Sequence, residues 1–401
     1  MAFKINTQNH QYLVKCLTSI DQIKEIENEW KHLEKNHGGL FIYFQSFDWC
    51  YHWCLTKENI PDDKHLLRIR VYVAYRDDEL VFIMPMMIEK SHFGIDCLTL
   101  LSEPHGQYSN VICNEELVPL EIGKQIWSHI KSDSKASVIT LSAYPQNSYF
   151  ANIISGGGIV ERSEKKSSIL DLNTFDSWDD YQASLDNKLR KSRRKIRNKI
   201  AKKGKMEFEV HYGGTKDYNK YVMLALKFKQ VWLQETGRQT SGLSKEHTKQ
   251  FLGGLTSKSE TKPPEGAIVA VLMIDKNPIA IEIGFCLNGH YYSYLGAFDF
   301  SFRNFSPGKI QMEMLQEWAK SVGLSKYDFL GETDSYKDEW INSKTPIESR
   351  SFYFNFRGYL YSVFWIANIR PIIHTFYNNM SSKSRKKLVS FVAFFQNRKE
   401  N

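Results

Sequence analysis

The sequence has no apolar run of the roughly 20 residues that a membrane-spanning helix requires. Its first stretch, MAFKINTQNHQYLVK, also lacks the apolar core of a secretory signal peptide. These two absences predict a protein that is soluble or peripheral to a membrane. We expect a cytoplasmic location, with attachment at the inner face of the membrane as a further option.

Closely spaced cysteines are also lacking. The six cysteines are scattered through 401 residues, and no two of them form a C-x-x-C pair. In a chain of this size such scatter predicts reduced thiols in a cytosolic protein. Cys50, His52 and Cys54 have metal-binding side chains, but His52 lies off the helix face that the two cysteines share, and no fourth ligand is near in sequence. We expect no metal site.

The composition is that of a folded globular protein, with 24% charged and 14% aromatic residues. The length allows two domains with sizeable cores. The net charge of +8 is a moderate basic excess, and most of it lies in local clusters. Composition and charge do not determine the fold class, which we therefore infer from the order of helices and strands.

Strand pairs occur in both halves of the chain. HLLRIRVYVAYRDDELVFIMPMMIEK predicts two strands around a turn at 76–79, and AIVAVLMI and IAIEIGFCLNGHYYSYLGAF predict three strands with turns at 276–278 and at Asn288-Gly289. In each half a Trp-bearing helix precedes the strands, and helix and strand alternate afterwards. This weak internal repeat predicts two similar α/β (α+β) domains that meet near residue 170.

Three stretches carry a resemblance to a known family: SWDDYQASLDNKLRKSRRKIRNK, SPGKIQMEMLQEWAKSVGLSKYDFLGE and SYKDEW. With weaker echoes the resemblance extends over nearly residues 15–355. The order of hairpin, turn, helix, strand and helix resembles the GNAT acyltransferase fold. The tandem arrangement is similar to the Fem-type aminoacyltransferases and to the acetyltransferases associated with cellulose and exopolysaccharide biosynthesis.

The resemblance implies two tandem GNAT-like domains, each a mixed, mostly antiparallel sheet flanked by helices. We expect an N-terminal domain at 1–170 on the acceptor side and a C-terminal domain at 171–355 that binds the acyl donor. A basic, amphipathic helical tail follows at 356–401. The donor is assigned to the second domain because the first has no equivalent of the loop described next.

GNAT enzymes carry a pyrophosphate-binding pattern, Arg/Gln-x-x-Gly-x-Gly/Ala, between a strand and a helix. Arg303 takes its first place, Ser306 stands where glycine is usual, and Gly308 takes the last. Unpaired N–H groups and the positive dipole end at a helix N-terminus attract anions, and Lys309 adds charge. Pro307 removes one N–H, and the alternative is that this proline merely starts a helix. The acyl carrier is therefore open between CoA, an acyl-carrier protein and a charged tRNA.

Five residues are candidates for the chemistry of acyl transfer. Glu282 lies in an apolar strand, where burial would raise its pKa and suit a general base, although strand alternation could instead put it on a solvent face. Asp328 follows the donor helix at a strand end, although it could instead cap a helix or pair with Lys337. Tyr294 could protonate a leaving thiolate, although tyrosine is common in strands anyway. Lys337 could aim an ammonium into a cleft. In the first half His105, in a Gly-bearing loop, is a candidate base or acceptor ligand, or a plain surface histidine.

Two basic segments remain. Residues 188–205 hold eleven Lys or Arg and no acid, which fits contact with RNA, with anionic lipid or a sugar nucleotide, or a solvated helix face. It carries no aromatics for base stacking. The tail 358–399 mixes apolar and aromatic residues with cations and fits an interfacial or docking helix, or a helix that packs back on the domains.

The sequence thus predicts an N- or O-acyltransferase that uses acetyl-CoA or another acyl-CoA. The acceptor would be a cell-envelope, lipid or exopolysaccharide precursor, and an anionic membrane surface is a further partner. The alternatives are a Fem-type transferase dependent on aminoacyl-tRNA and a non-catalytic scaffold at the membrane. Apart from tRNA in the first alternative, no nucleic-acid partner is expected.

Overall fold

The computed structural model describes residues 3–59, 68–91, 93–160, 165–238, 242–243, 245–331 and 335–387. The strands are β1 (Phe3–Asn6), β2 (Gln11–Leu17), β3 (Arg68–Arg76), β4 (Glu79–Lys90), β5 (Asp96–Leu100), β6 (Ile112–Cys113), β7 (Val138–Pro145), β8 (Ile159–Val160), β9 (Lys165–Asp171), β10 (Met206–Tyr212), β11 (Ser257–Lys258), β12 (Glu265–Ile274), β13 (Asn277–Leu287), β14 (His290–Phe298), β15 (Lys326–Asp328) and β16 (Ser343–Tyr353).

The helices are α1 (Ile20–Glu25), α2 (Glu27–His37), α3 (Phe47–Glu58), α4 (Leu120–Asp133), α5 (Tyr149–Ile153), α6 (Trp178–Ser184), α7 (Asn187–Ala201), α8 (Lys216–Thr236), α9 (Glu246–Gly254), α10 (Pro307–Ser321), α11 (Phe356–Leu360) and α12 (Arg370–Asn379). Wide π-type turns over Tyr361–Ile369 join α11 to α12.

The chain forms two compact units. Unit 1 comprises Met1–Ile169, Leu330–Asp338 and Ser343–Arg370, and unit 2 comprises Leu170–Phe329, Glu339–Asn342 and Pro371–Asn401. The chain first passes from unit 1 to unit 2 between Ile169 and Leu170, within β9. Where the sequence suggested one continuous segment at 171–355, β16 instead belongs to unit 1, because its backbone pairs with β7 and β9 there.

In each unit the described strands are paired mostly antiparallel, with one parallel neighbouring pair in the strand order. In unit 1 the order is β1-β2-β3-β4-β5-β7-β16-β9, and only β5 and β7 run parallel. In unit 2 the order is β15-β14-β13-β12-β10, and only β14 and β15 run parallel. A helix makes each parallel crossover, α4 in unit 1 and α10 in unit 2.

The strands of the two units therefore repeat one topology. The strands β2-β3-β4-β5-β7 correspond in order and direction to β10-β12-β13-β14-β15, with helices inserted at the same two places. This confirms the expected fold class of two tandem GNAT-like domains, each a mostly antiparallel sheet flanked by helices, followed by helical residues at the C-terminal end.

Tight hairpins set the register of the central strands. The turns fall at Asp77-Asp78, at Asp275-Lys276 and at Asn288-Gly289, and both residues of each turn have positive φ. Two successive positive φ values define the type I′ turn, whose twist matches that of the flanking strands. The Asn-Gly turn lies where the sequence predicted it, whereas the turn near 276 is one residue earlier than expected.

The basic segment is shorter than the expected 188–205 helix. Leu185 is extended and ends α6, and the Asp186 carboxylate then accepts the backbone N–H of Leu189 and caps α7. After Ala201 the chain turns at Gly204 into β10. One face of α7 is not solvated, because Arg193 and Ile200 are buried.

In the described part of the chain, no helix is both long enough and apolar enough to cross a membrane. All six cysteines are free thiols, and Cys50 and Cys54 are buried in α3. Among the described residues no group of three or more histidine, cysteine, aspartate or glutamate side chains could hold a metal ion.

Candidate active site

In unit 2 the strand β14 loses its regular pairing halfway along its length. The parallel pairing with β15 stops at Tyr292 and Asp328, while β14 continues to Phe298. On the other side the register with β13 passes from Gly284↔Ser293 to Ile283↔Leu295, so that Tyr294 is the inserted residue of a β-bulge. Bulges often lie beside active sites, where they redirect side chains.

Glu282, in β13 beside this bulge, is held by three hydroxyl groups. Those of Tyr291, Ser293 and Tyr327 all donate to its Oε1 atom, at 3.0, 2.6 and 2.9 Å. No group among the described residues donates to its Oε2 atom. Glu282 is only 5% exposed, so the alternative that placed it on a solvent face is wrong. One carboxylate oxygen is thus fixed by three hydrogen bonds, and among the described residues the other receives none.

Burial raises the pKa of Glu282, and the three hydroxyl hydrogen bonds oppose that rise without cancelling it. Burial and the neighbouring Glu282 raise the pKa of Tyr291 well above its usual value, so its phenol stays a proton donor. A carboxyl group with a raised pKa is suited to accept a proton near neutral pH.

The raised pKa also predicts a pH dependence of stability. The folded protein binds this proton more tightly than the unfolded chain, so the stabilisation is complete below the unfolded pKa of Glu282 and is lost as pH rises through the folded pKa. We expect Glu282→Gln to remove this pH-dependent contribution to the free energy of unfolding. Thermal melts of both proteins across that range would test it, and parallel curves would contradict it.

The surroundings of Glu282 are open on one side and covered on the other. Its antiparallel partner in β14 is Gly296, which is exposed and has no heavy atom within 4 Å of a built Cβ position. Its partner in β12 is Ala270, whose carbonyl accepts the side-chain amide of Gln311 in α10 at 2.8 Å. Directly opposite residues share a face of the sheet, so Glu282 lies under the second turn of α10.

The N-terminus of α10 lies one turn away from this point. From Gln311 to Pro307 the helix axis covers about 6 Å, at roughly 1.5 Å per residue. Ser306 precedes the helix in the left-handed conformation, with φ 52°, and no side chain caps the helix among the described residues. This conformation explains the usual glycine at that place, because glycine adopts it most readily. Gly308 has open space around a built Cβ position.

Cations surround the loop before α10. Lys199 of α7 donates to the carbonyl of Asn304 at 2.9 Å, and the ammonium groups of Lys199 and Lys203 lie 4.8 and 5.1 Å from the ring centre of Phe305. Arg303 is exposed and donates to the carbonyl of Phe300 at 3.3 Å. The basic helix therefore adds to the positive potential at the helix N-terminus, which favours an anionic ligand.

Lys309 follows in the first turn of α10, and its ammonium lies 3.5 Å from the carboxylate of Glu339. More than a third of the Lys309 side chain is exposed, so the pair is a weak surface contact. The lysine can turn towards an anion at the helix N-terminus without breaking a strong interaction. The four predicted donor residues thus occupy one loop and helix start.

Asp328 lies on the other face of the same strands. Its carboxylate is 3.3 Å from Nε2 of His290, both side chains are almost wholly buried, and His290 stacks on Tyr292 with ring centres 4.3 Å apart. Tyr294 is half-buried on that face too, with its ring 5.1 Å from that of Phe285. Neither residue is grouped with Glu282.

The last two predicted residues belong to unit 1. Lys337 is buried there, and His105 is 2% exposed with its ring 5.3 Å from that of Trp53. His105 is therefore not a surface histidine. In the repeated topology, Met84 of β4 takes the place of Glu282 of β13. Each of these residues lies two residue pairs from the irregularity in its own hairpin, which is β3–β4 in unit 1 and β12–β13 in unit 2. Unit 1 thus has no carboxylate at the equivalent position.

Sequence reasoning missed Tyr291, Ser293 and Tyr327. Alternation along HYYSY pairs Tyr291 with Ser293 on one face, which is the one available signal. Their convergence on Glu282 also requires the absence of a side chain at Gly284, where a Cβ atom would lie 1.9 Å from the Tyr291 hydroxyl oxygen.

Gly284→Ala tests this arrangement. The added methyl would displace the Tyr291 hydroxyl from Glu282, at a cost of about 1–3 kcal/mol for overpacking. Because that hydrogen bond lowers the pKa of Glu282, we also expect the pKa to rise further. Denaturant melts and a pH titration measure both effects. Gly296→Ala, at a position with open space, is the matched control, and equal behaviour of the two variants would disprove the packing argument.

Comparisons with known proteins agree with this topology. Residues 187–338 match the family model described as acetyltransferase (GNAT) domain, and this part of the chain is a GNAT domain. No curated protein matches the sequence significantly.

Among solved structures, FemX is similar over 88% of this chain and 99% of its own, with a TM-score of 0.57 and 12% identity. L-PGS from Bacillus licheniformis is similar over 85% of this chain and 95% of its own, with a TM-score of 0.50 and 12% identity. The C-terminal domain of a putative lysylphosphatidylglycerol synthetase from Agrobacterium fabrum is similar over 82% and 92%, with a TM-score of 0.50 and 10% identity. At such identities these likenesses concern the fold.

Proposed function

We propose that this protein transfers an acyl group from acyl-CoA to an amine or hydroxyl of a cell-envelope, lipid or exopolysaccharide precursor. The observation that carries the proposal is the position of Glu282, buried and hydrogen-bonded through Oε1 under the second turn of α10. Its exposed neighbour Gly296 leaves room beside it for reacting groups. Both features lie in the GNAT domain.

The start of α10 supplies the donor-binding part of the proposal. Backbone N–H groups from Gly308 onward, with Arg303 and Lys309, would hold the pyrophosphate of acyl-CoA. Gly308 admits close approach of a phosphate because it has no side chain. Acyl-CoA supplies an activated thioester carbonyl, and the chain's own residues bind and orient it.

Glu282 then acts as general base through Oε2. It takes the proton of the acceptor amine or hydroxyl as the new carbon–nitrogen or carbon–oxygen bond forms and the carbon–sulfur bond breaks. Tyr291, Ser293 and Tyr327 hold the carboxylate in place during this step. The leaving thiolate receives a proton from solvent, which balances the reaction.

Release of free thiol from a panel of acyl-CoAs tests the proposal directly. We expect release to depend on an added amine or hydroxyl acceptor and to be abolished by heat denaturation. Product mass would then identify the acyl group and the acceptor atom. Absence of thiol release with every acyl-CoA, from a folded protein, would rule out this donor.

A second candidate is transfer of an aminoacyl group from tRNA. It is supported by the fold likeness to FemX and to a domain of a putative lysylphosphatidylglycerol synthetase, and by the cations of α7 beside the donor loop. Charged tRNA would replace acyl-CoA as the anionic carrier. Deacylation of charged tRNA in the presence of acceptor, without thiol release from acyl-CoA, would favour this candidate.

A further inference from the structure

Helix α12 exposes a line of large apolar side chains. Ile372, Ile373 and Phe376 are 68%, 53% and 67% exposed. Their spacing of one, three and four residues places them within an arc of about 100° on an α-helix. We call these three residues the Ile372–Phe376 stripe. A solvent-facing apolar stripe of this kind is costly unless it has a partner.

A hydrogen bond on another side of α12 holds the helix with the stripe outward. The Tyr377 hydroxyl donates to the carbonyl of Gly237 at the end of α8 at 2.8 Å. Beyond α12, the Lys386 ammonium lies 3.3 Å from the carboxylate of Glu235. Within α12 none of the residues is buried. In the described part of the chain the helix is therefore anchored at its polar side, and the stripe remains open.

The chain is positively charged from α12 onward. Residues 371–387 contain four lysines and arginines and no aspartate or glutamate. Lys383, Lys386 and Lys387 are exposed. A partner for the stripe must therefore tolerate or attract a cationic rim, which favours an anionic surface. Aromatic and branched apolar side chains beside lysine and arginine are typical of helices that lie in the interface of a membrane.

We propose that the Ile372–Phe376 stripe docks on an anionic lipid surface. Apolar side chains enter the boundary between headgroups and acyl chains, and the cations of 371–387 contact the lipid phosphates. A second copy of this chain is a poorer occupant, because a stable protein interface needs about 20–30 residues on each side. The stripe offers three, followed by cations that would repel each other across a two-fold axis.

Co-sedimentation of the full chain with lipid vesicles tests this proposal, independently of any acyl transfer. Vesicles of phosphatidylcholine with phosphatidylglycerol are compared with phosphatidylcholine alone, at low and high salt. We expect binding to the anionic vesicles at low salt. The double variant Ile372→Ser, Phe376→Ser should weaken it by on the order of tenfold for each lost side chain.

The matched control is Thr375→Ser with Asn378→Ser, which changes two exposed positions off the stripe. The control should bind as the unmodified protein does, and thermal melts should agree for all three. Failure of the unmodified chain to bind anionic vesicles would overturn the proposal. So would equal binding by the stripe variant, or a dimer in sedimentation analysis that the stripe variant converts to a monomer.

Discussion

Glu282→Gln should lower kcat for acyl transfer by roughly 10²–10⁴-fold, the usual contribution of a general base. Glutamine is nearly isosteric, and its Oε1 atom can still accept from Tyr291, Ser293 and Tyr327, so the fold should be retained. Glutamine lacks the carboxylate oxygen Oε2, which in this mechanism accepts the proton. Steady-state kinetics with acyl-CoA and an acceptor measure the loss, which should fall on kcat and leave donor affinity unchanged.

The pH profile separates a base from a structural carboxylate. Because burial raises the pKa of Glu282, activity of the unmodified protein should rise with pH through a limb that lies above the ordinary carboxyl range. The residual activity of Glu282→Gln should lack this limb. Glu246→Gln changes an exposed carboxylate in the same unit and should alter neither rate nor profile. A Glu282→Gln enzyme with full kcat would remove Glu282 from the mechanism.

Local chemistry made much of the fold predictable. Asn288-Gly289 has the composition of a type I′ turn, and the alternation of helix and strand patterns in both halves indicated two related domains. The course of β16 was not predictable, because its pairing with β7 joins residues about 200 positions apart in sequence. No local pattern encodes that choice of partner.

The sequence did not determine on which face of the sheet Glu282 lies, for a related reason. Strand alternation distinguishes buried from exposed positions only when one face of a sheet is exposed to solvent. In unit 2, α8 and α10 both pack against β12–β14, and every residue from Ala267 to Ile274 is buried. A carboxylate on such a strand must be buried, but its hydroxyl partners depend on the strand register and on Gly284.

Gly308→Val should abolish or greatly weaken acyl-CoA binding while the protein stays folded. A Cβ at this position meets no heavy atom within 4 Å, and the backbone there has no left-handed φ. A valine inside a helix also costs less conformational free energy than a glycine, so the melting temperature should not fall. The branched side chain would instead occupy the space in front of the first N–H groups of α10, where we place the pyrophosphate.

Calorimetric titration with CoA measures this effect, and a thermal melt verifies folding. Gly39→Val is the matched control, since Gly39 also has open space and no left-handed φ but lies in unit 1. The control should bind CoA as the unmodified protein does. If Gly308→Val binds CoA equally well, the turn at Ser306 is only a helix start, and the donor does not bind at α10. If neither protein binds CoA but charged tRNA is deacylated, the loop serves the other anionic carrier, and the same substitution should then block that reaction.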